Sequence, residues 1–273
     1  MTAKNVSPGF PWPALLSAGD GLGIFAWGLL FLKYSSAGQL QLLVHPNYFA
    51  LVTVTGFVLL ALGSLRLYQS LQRLWKYRHQ QNYPETVTHL TVLPLGLGST
   101  LLLITAIAGF LIPPTVFTSQ MALQRGISNT LPATQMETAS FKAPSQPQER
   151  SLVDWIRLLN AYPEPDAYQG QKAKVTGFVV YPPGLNDTYL LISRFILTCC
   201  AVDVYPVGLP VKLAGPRSQY PQDIWLEVEG QMITETLPLN TQIQPGQAAE
   251  KRQLVLEAQS IKAIPTPADP YSY

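Results

Sequence analysis

The stretch from Leu90 to Ile112 reads LTVLPLGLGSTLLLITAIAGFLI, contains no charged residue and is followed by two prolines. A helix of about 20 apolar residues crosses the hydrocarbon core of a bilayer, and an uncharged run of this length is typical of such a helix. Two further runs, Ala14–Leu32 and Tyr48–Leu65, are similarly apolar. Because lipid offers the backbone no hydrogen-bond partner, residues 1–115 are predicted to form a bundle of three transmembrane helices.

Charge is distributed unevenly along the chain. Only 12% of the residues are charged, about half the share of an average soluble protein. Residues 116–149 are rich in Ser, Thr, Gln, Ala and Pro and are predicted to be a linker. Residues 150–266 have the composition of a soluble domain, and residues 267–273 are predicted to be a tail. Basic residues are not pooled in the soluble half, so no nucleic-acid partner is expected.

Lysine and arginine near the helix ends predict the orientation of the bundle. Four of them lie between the second and third apolar runs: Arg66, Arg73, Lys76 and Arg78. The loop between the first two runs has only Lys33. Because basic loops face the cytoplasm, we expect a cytoplasmic N-terminus and an extracytoplasmic C-terminal domain in a multi-pass protein of the cell membrane.

Asp20 is the one acidic residue within the three apolar runs. A carboxylate in a membrane segment is often functional. Asp20 lies near the start of its helix, however, where the helix dipole also stabilises a negative charge. Both interpretations stay open at the level of sequence. Three helices make a poor transport pathway by themselves, so the bundle points to a partner subunit or an oligomer.

Alternating apolar and polar residues predict a β-rich domain after the linker. A helix is expected after Ser151, because Asp154 three residues later forms a pattern close to a capping box. Five strands are predicted to follow, separated by turns rich in Pro, Gly and Asn: Ala173–Tyr181, Thr188–Cys200, Val202–Leu213, Ile224–Thr234 and Gln253–Ile264. Five strands in this length favour a small, OB-like barrel with one preceding helix, with a five-stranded sandwich as the alternative.

Cys199 and Cys200 are the only cysteines of the chain. They are interpreted as core residues, with one thiol on each face of a regular strand, or as a redox pair, whose disulfide would be strained and easily reduced. They are also candidate ligands for zinc or copper, with Asp203 nearby as a harder ligand. All three histidines lie in the membrane half, so the usual four-ligand zinc set would need a second chain.

Three phrases of the soluble half carry a resemblance to a known family: VTGFVVYPP, FILTCCAVDVYPVGLPV and WLEVEGQM. With GFLIPP and ALQRG from the membrane half, they resemble the YcgQ-like family of bacterial membrane proteins, which are regarded as permease accessory subunits. The residues that match the motif of the family are Arg194, Phe195, Cys199, Cys200, Asp203, Pro206, Gly208 and Leu209. Bulkier Val202 and Val204 flank the aspartate, where the family usually has alanine.

The resemblance implies a larger multi-helix permease as partner and a link to metal ions, zinc above all. It also favours a chemical role for the cysteines, and Arg194 would lower a thiol pKa if it lay beside them. The plainer role of Arg194 is a salt bridge with Asp203 or Glu229. The leading hypothesis is a permease accessory subunit whose outer domain receives or gates a solute. The alternatives are a stand-alone thiol protein, either a metal chaperone or a redox factor, and a protein-binding scaffold. No motif of an enzyme is found.

Overall fold

The chain folds as two units, Met1–Pro114 and Thr115–Tyr273, the first helical and the second rich in β-strands. The structure is a computed structural model, which describes residues 12–79, 96–127, 146–238 and 251–273. The boundary between the units falls at the proline pair that follows the third apolar run, since proline cannot continue a helix.

Three helices form the described part of the first unit: α1 (Trp12–Ser36), α2 (Phe49–His79) and α3 (Leu97–Leu111). Within the described residues, one helical segment, Pro46–Trp75, is long and apolar enough to cross a membrane. α3 has 15 residues and is a shorter apolar helix. Residues 90–95 of the predicted third span lie outside the described residues.

α2 is longer than predicted. The prediction ended the second helix at Leu65, where the apolar run ends, but α2 has 31 residues and continues to His79. Arg66 and Arg73, which the prediction assigned to a loop, therefore lie on the helix. The error has a physical cause: membrane thickness limits the length of an apolar run, whereas Leu, Arg and Gln continue a helix readily in any solvent.

Glycines allow α1 and α2 to pack closely in antiparallel directions. A Cβ added to Gly63 of α2 would lie 2.8 Å from the Cα of Phe25 in α1. A Cβ added to Gly28 of α1 would lie 2.9 Å from the carbonyl oxygen of Gly56 in α2. Small residues at helix contacts let backbones approach in this way, so these glycines serve helix packing within the chain.

α1 and α3 run parallel, and side chains of α1 donate hydrogen bonds to backbone carbonyls of α3. Trp27 Nε1 donates to the carbonyl of Leu102 at 3.0 Å. Lys33 Nζ donates to the carbonyl of Phe110 at 3.1 Å. Phe110 lies in the last turn of α3, so the charge of Lys33 also complements the negative end of the helix dipole.

The second unit is a five-stranded mixed barrel. The five strands lie within a few residues of their predicted positions: β1 (Lys172–Val180), β2 (Tyr189–Leu197), β3 (Val204–Lys212), β4 (Trp225–Leu237) and β5 (Lys251–Ile264). The sheet order is β1-β4-β5-β3-β2, and β1 pairs with β2 to close it. The pairing of β3 with β5 is parallel and the other pairings in the ring are antiparallel. Closure of the sheet excludes the sandwich alternative.

The helix predicted after Ser151 is α5, Leu152–Ala161. Its capping box is confirmed: the amide of Asp154 donates to Ser151 Oγ at 3.2 Å, and the amide of Ser151 donates to the Asp154 carboxylate at 3.1 Å. Leu152 and Trp155 are fully buried in the main core of the barrel. α5 therefore contributes its apolar face to this core.

The C-terminal residues differ from the predicted tail. Tyr271–Ser272 form a sixth strand, β6, which pairs in parallel with β2 next to Phe195. The side chain of Tyr271 is 1% exposed. A two-residue strand is too short to show a periodic pattern, so the sequence did not predict it. Its burial depends on contacts with distant residues.

Part of the predicted linker also belongs to the second unit. Ser119–Arg125 form a short helix, α4, and Ala122 on it is fully buried. The amide of Ser119 donates a hydrogen bond to the carboxylate of Asp223, which precedes β4. Residues 128–145 of the predicted linker lie outside the described residues.

Candidate functional site

The cysteine pair lies on the connection between β2 and β3, here called the cysteine loop (Thr198–Asp203). The prediction continued the strand through Cys200, but β2 ends at Leu197. Cys199 follows in a bend, Cys200 is extended and forms an isolated β-bridge, and a short helical turn, Ala201–Asp203, leads into β3. The interpretation with one thiol on each face of a strand is therefore wrong.

The two thiols lie side by side. The Sγ atoms of Cys199 and Cys200 are 3.5 Å apart, and both side chains are half-buried, so solvent reaches them. The Cys199 thiol also lies 3.9 Å from a carboxylate oxygen of Asp203. The turn brings Asp203 back towards the pair, because its amide donates to the carbonyl of Cys200 at 2.9 Å.

The pair fits part of a zinc site. Two thiolates at about 2.3 Å from a tetrahedral zinc ion lie about 3.8 Å apart, close to the 3.5 Å between the two sulfurs. Among the residues that the structure describes, no group of three or more His, Cys, Asp and Glu side chains is arranged to hold a metal ion. The cysteines thus match one edge of a zinc tetrahedron, and the described residues do not complete it.

The two thiols differ in acidity. The Cys199 thiol donates to Cys200 Sγ, and this hydrogen bond, followed by desolvation, raises the pKa of Cys199. The pKa of Cys200 is lowered, first by the amide of Val202 and then by the thiol of Cys199. These groups stabilise a thiolate at Cys200, since a donor directed at a charged group favours the charged form.

Arg125 holds the cysteine loop from outside the loop. Its Nη1 atom donates to the carbonyl of Val202 at 3.1 Å and also to the carbonyl of Val204. Its guanidinium group lies 5.8 Å from the centre of the Phe117 ring. No local pattern indicates this role of Arg125, although the residue belongs to the phrase ALQRG, because the contacts join residues 77 and 79 positions apart.

Arg194 does not act on the cysteines. Its Nη2 atom donates to the carbonyl of Asp269 at 2.9 Å, and its guanidinium group lies 5.6 Å from the ring centre of Trp225. Within the described residues it forms no ion pair with Asp203 or Glu229, and Glu229 pairs with Lys174 at 2.8 Å. Burial lowers the pKa of Arg194. Both roles that the sequence suggested are therefore replaced by contacts with the C-terminal segment and an aromatic ring.

Aromatic side chains fill the space between β1, β2 and the two terminal segments of the unit. Phe178 and Phe195 stack with ring centres 5.2 Å apart. Trp225 lies 6.0 Å from Phe178, and Phe117 and Tyr271 cover Phe195. Phe178 and Trp225 are only 2% and 3% exposed. These rings are part of the protein interior, so they offer no stacking surface to a nucleic-acid base.

Asp20 lies in the first, helical unit, whereas the cysteines lie in the second unit. The hydroxyl of Ser99, near the start of α3, donates to the Asp20 carboxylate. This contact joins α1 to α3 and favours the structural interpretation of Asp20. Within the described residues, no second hydrogen bond to the exposed Asp20 carboxylate indicates a ligand site.

The molecule is thus a helical region with a membrane-capable helix, joined to a five-stranded barrel that carries adjacent cysteines. Residues 21–128 match the DUF1980 N-terminal domain, and residues 135–273 match the DUF1980 C-terminal domain. The chain belongs to the DUF1980 family. A comparison with curated proteins and with solved structures gives no match. The relation to YcgQ stays a prediction.

Proposed function

We propose that the protein is a membrane-anchored accessory subunit of a larger multi-helix permease. In this proposal its barrel, on the outer side of the membrane, receives a solute at the cysteine pair, and zinc or copper is the solute that fits thiol ligands. The division of the chain is the observation that carries the proposal. A small helical unit suits docking in the bilayer, and a separate unit bears the only two thiols.

The bundle supports a three-span arrangement. Because α1 packs closely against the spanning helix α2 through Gly28 and Gly63, it occupies the same depth. α3 runs parallel to α1, and its 15 residues cover about 22 Å of a hydrocarbon core of about 30 Å. The exposed apolar residues of α2, such as Leu51, Phe57 and Leu62, suit lipid or a partner helix.

The barrel supports an outer receiving domain of the OB type. Its closed ring, in which one parallel pairing interrupts antiparallel ones, is the arrangement we infer to be OB-like. The fold alone assigns no ligand. The cysteine loop lies on the connection between β2 and β3, where a partner can reach both sulfurs and add the ligands that the described residues lack.

The orientation is testable with the native thiols, because Cys199 and Cys200 are the only cysteines. We expect a membrane-impermeant maleimide to label the protein in spheroplasts, in which the cell envelope outside the cell membrane has been opened and the cell membrane itself is intact. The Cys199→Ser/Cys200→Ser double variant is the matched control and must stay unlabelled. Labelling only after the membrane is broken would place the barrel in the cytoplasm and refute the outer-domain part of the proposal.

The permease partner and the metal are testable on one sample. The protein is extracted in mild detergent and purified, and the co-purifying proteins and the zinc and copper content are measured. We expect a stoichiometric multi-helix membrane protein, retained by the double cysteine variant, and a metal content that this variant loses. Purification of a homogeneous complex without any permease would refute the accessory role. If the double cysteine variant kept the metal content of the wild type, the cysteines would not be the metal ligands.

A further inference from the structure

We propose that Cys199 and Cys200 form one half of a four-thiolate zinc site, and that a second copy of this chain supplies the other half. This assignment rests on the proposed function, because it takes up the soft metal ion proposed there for the cysteine pair, and it names the partner that completes the site. It does not depend on the permease, so the two partners can be tested separately.

The two sulfurs have nearly the spacing of two ligands on one zinc ion. Thiolates at two corners of a tetrahedron, each about 2.3 Å from the metal, lie about 3.8 Å apart. The Sγ atoms of Cys199 and Cys200 are 3.5 Å apart. A small rotation of either side chain covers this difference, so a single ion can bind both sulfurs.

The residues that the structure describes leave the tetrahedron half empty. Among them, no group of three or more His, Cys, Asp and Glu side chains is arranged to hold a metal ion. The carboxylate of Asp203 lies 3.9 Å from Cys199 Sγ, but a carboxylate is a harder ligand than a thiolate. Structural zinc sites have four protein ligands. Two ligands must therefore come from another chain.

Two-fold symmetry supplies both missing ligands from the same loop. Opposite edges of a tetrahedron are related by a two-fold axis through its centre, so two copies of one cysteine pair occupy all four corners. Dimers with this symmetry are the commonest homo-oligomers. Four thiolates are also one of the ligand sets that structural zinc sites use. A second copy thus completes the site without any other kind of ligand.

The cysteine loop presents the pair at the surface of the barrel unit. Both cysteine side chains are half-buried, and Asp203 is exposed. Val202 is apolar and 84% exposed. Because Val202 is two residues from Cys200, two-fold symmetry about the zinc brings both copies of Val202 to the same interface. Their contact would remove apolar surface from water and stabilise the dimer.

Arg125 contributes positive charge and rigidity beside the site. Its Nη1 atom donates to the carbonyls of Val202 and Val204, so the guanidinium group stays next to the cysteine loop. A zinc ion with four thiolates carries net negative charge, and the two Arg125 side chains of a dimer offset part of it. Holding the loop in each copy also prepares the sulfurs for a shared ion, since metal ligands need supported positions.

The test is a zinc titration of the full chain, expressed without other subunits, kept reduced and purified in mild detergent. The Cys199→Ser/Cys200→Ser double variant gives the background of zinc bound elsewhere. We expect tight, cysteine-dependent uptake to end at one zinc per two chains. Native mass spectrometry should show a zinc-bound dimer, and X-ray absorption should show four sulfur neighbours around the zinc.

Four single variants test the ligand set and the interface. Cys199→Ser should weaken zinc binding at least about 100-fold, because each dimer loses two of four ligands. Asp203→Asn should keep the stoichiometry and the four sulfur neighbours. Val202→Glu places like charges at the interface and should weaken zinc binding at least about tenfold, whereas Val202→Ala, its matched control, should stay within about threefold of the wild type.

The outcomes separate this proposal from the proposed function. Uptake that ends at one zinc per chain, with two sulfur neighbours, would overturn the role of the second copy and leave the metal site of the proposed function standing. Loss of zinc from Asp203→Asn would overturn the four-thiolate set, because it would show a carboxylate ligand. Absence of cysteine-dependent uptake would refute the metal part of the proposed function and this proposal with it.

Discussion

Replacing Tyr271 by alanine tests whether the end of the chain is part of the barrel unit. The ring is 1% exposed and stacks on Phe117 with ring centres 5.6 Å apart. It also contacts Phe195 edge to face at 6.3 Å. Removing a buried aromatic ring loses its apolar burial and leaves a cavity, which together cost about 3–5 kcal/mol.

The polar part of the same side chain contributes much less. The Tyr271 hydroxyl accepts a hydrogen bond from the amide of Phe117 at 3.4 Å, a long and weak contact. Removing only the hydroxyl in Tyr271→Phe should therefore cost less than about 1 kcal/mol. The ratio between the two substitutions separates ring packing from hydrogen bonding.

The assay is urea unfolding of the full chain in detergent, followed by tryptophan fluorescence, since Trp225 lies within the same aromatic group. Tyr162→Ala is the matched control, because the Tyr162 side chain is 68% exposed, and such a change should stay within about 0.5 kcal/mol. If Tyr271→Ala left the unfolding midpoint of the barrel at that of the control, residues 267–273 would be a dispensable tail and the placement of β6 would be refuted.

Three further predictions concern other contacts. Arg125→Ala should lower the stability of the barrel by about 1–2 kcal/mol, because two charge-assisted hydrogen bonds are lost at a partly exposed site; urea unfolding measures this, and Arg125→Lys should recover part of it. Burial would raise the pKa of Glu235, but Lys212, 2.5 Å away, and the hydroxyl of Tyr189, which both donate hydrogen bonds to the carboxylate, together outweigh burial, and the pKa is lowered. The stabilisation by ionised Glu235 is therefore complete above the ordinary glutamate pKa of about 4.3 and is lost as the pH falls through the lower pKa of the folded state. Glu235→Gln should therefore reduce the loss of stability at acidic pH in a curve of stability against pH. Gly63→Ala should cost about 1–3 kcal/mol of bundle stability in detergent by overpacking, whereas Gly98→Ala, whose added Cβ meets no atom within 4 Å, should be neutral in the same thermal melt.

The strands of the barrel were predictable because their signal is local. In β1 and β4, apolar and polar residues alternate, and this pattern located both strands to within three residues at either end. The cap of α5 was equally local, since Ser151 and Asp154 are three residues apart. Where a pattern of this kind ends gradually, as at the end of α2, the prediction stopped too early.

The candidate site was only partly predictable. The cysteine pair is visible in the sequence, but its placement on a turn depends on where β2 leaves the barrel, and so does the approach of the two sulfurs. Arg194 was chosen for its nearness in sequence, yet it turns towards Asp269, 75 positions away. Arg125 holds the cysteine loop from 77 and 79 positions away, so no local pattern marks it.

The sequence by itself determined a helical region with a membrane-capable helix, five strands after it, and a single pair of thiols, because hydropathy, alternation and composition are properties of neighbouring residues. The tertiary structure decided the rest. Closure of β1 on β2, the burial of Tyr271 against Phe117 across 154 positions, and the hold of Arg125 on the cysteine loop all join distant residues. Such contacts form only when the whole unit buries its core, so no local pattern records them.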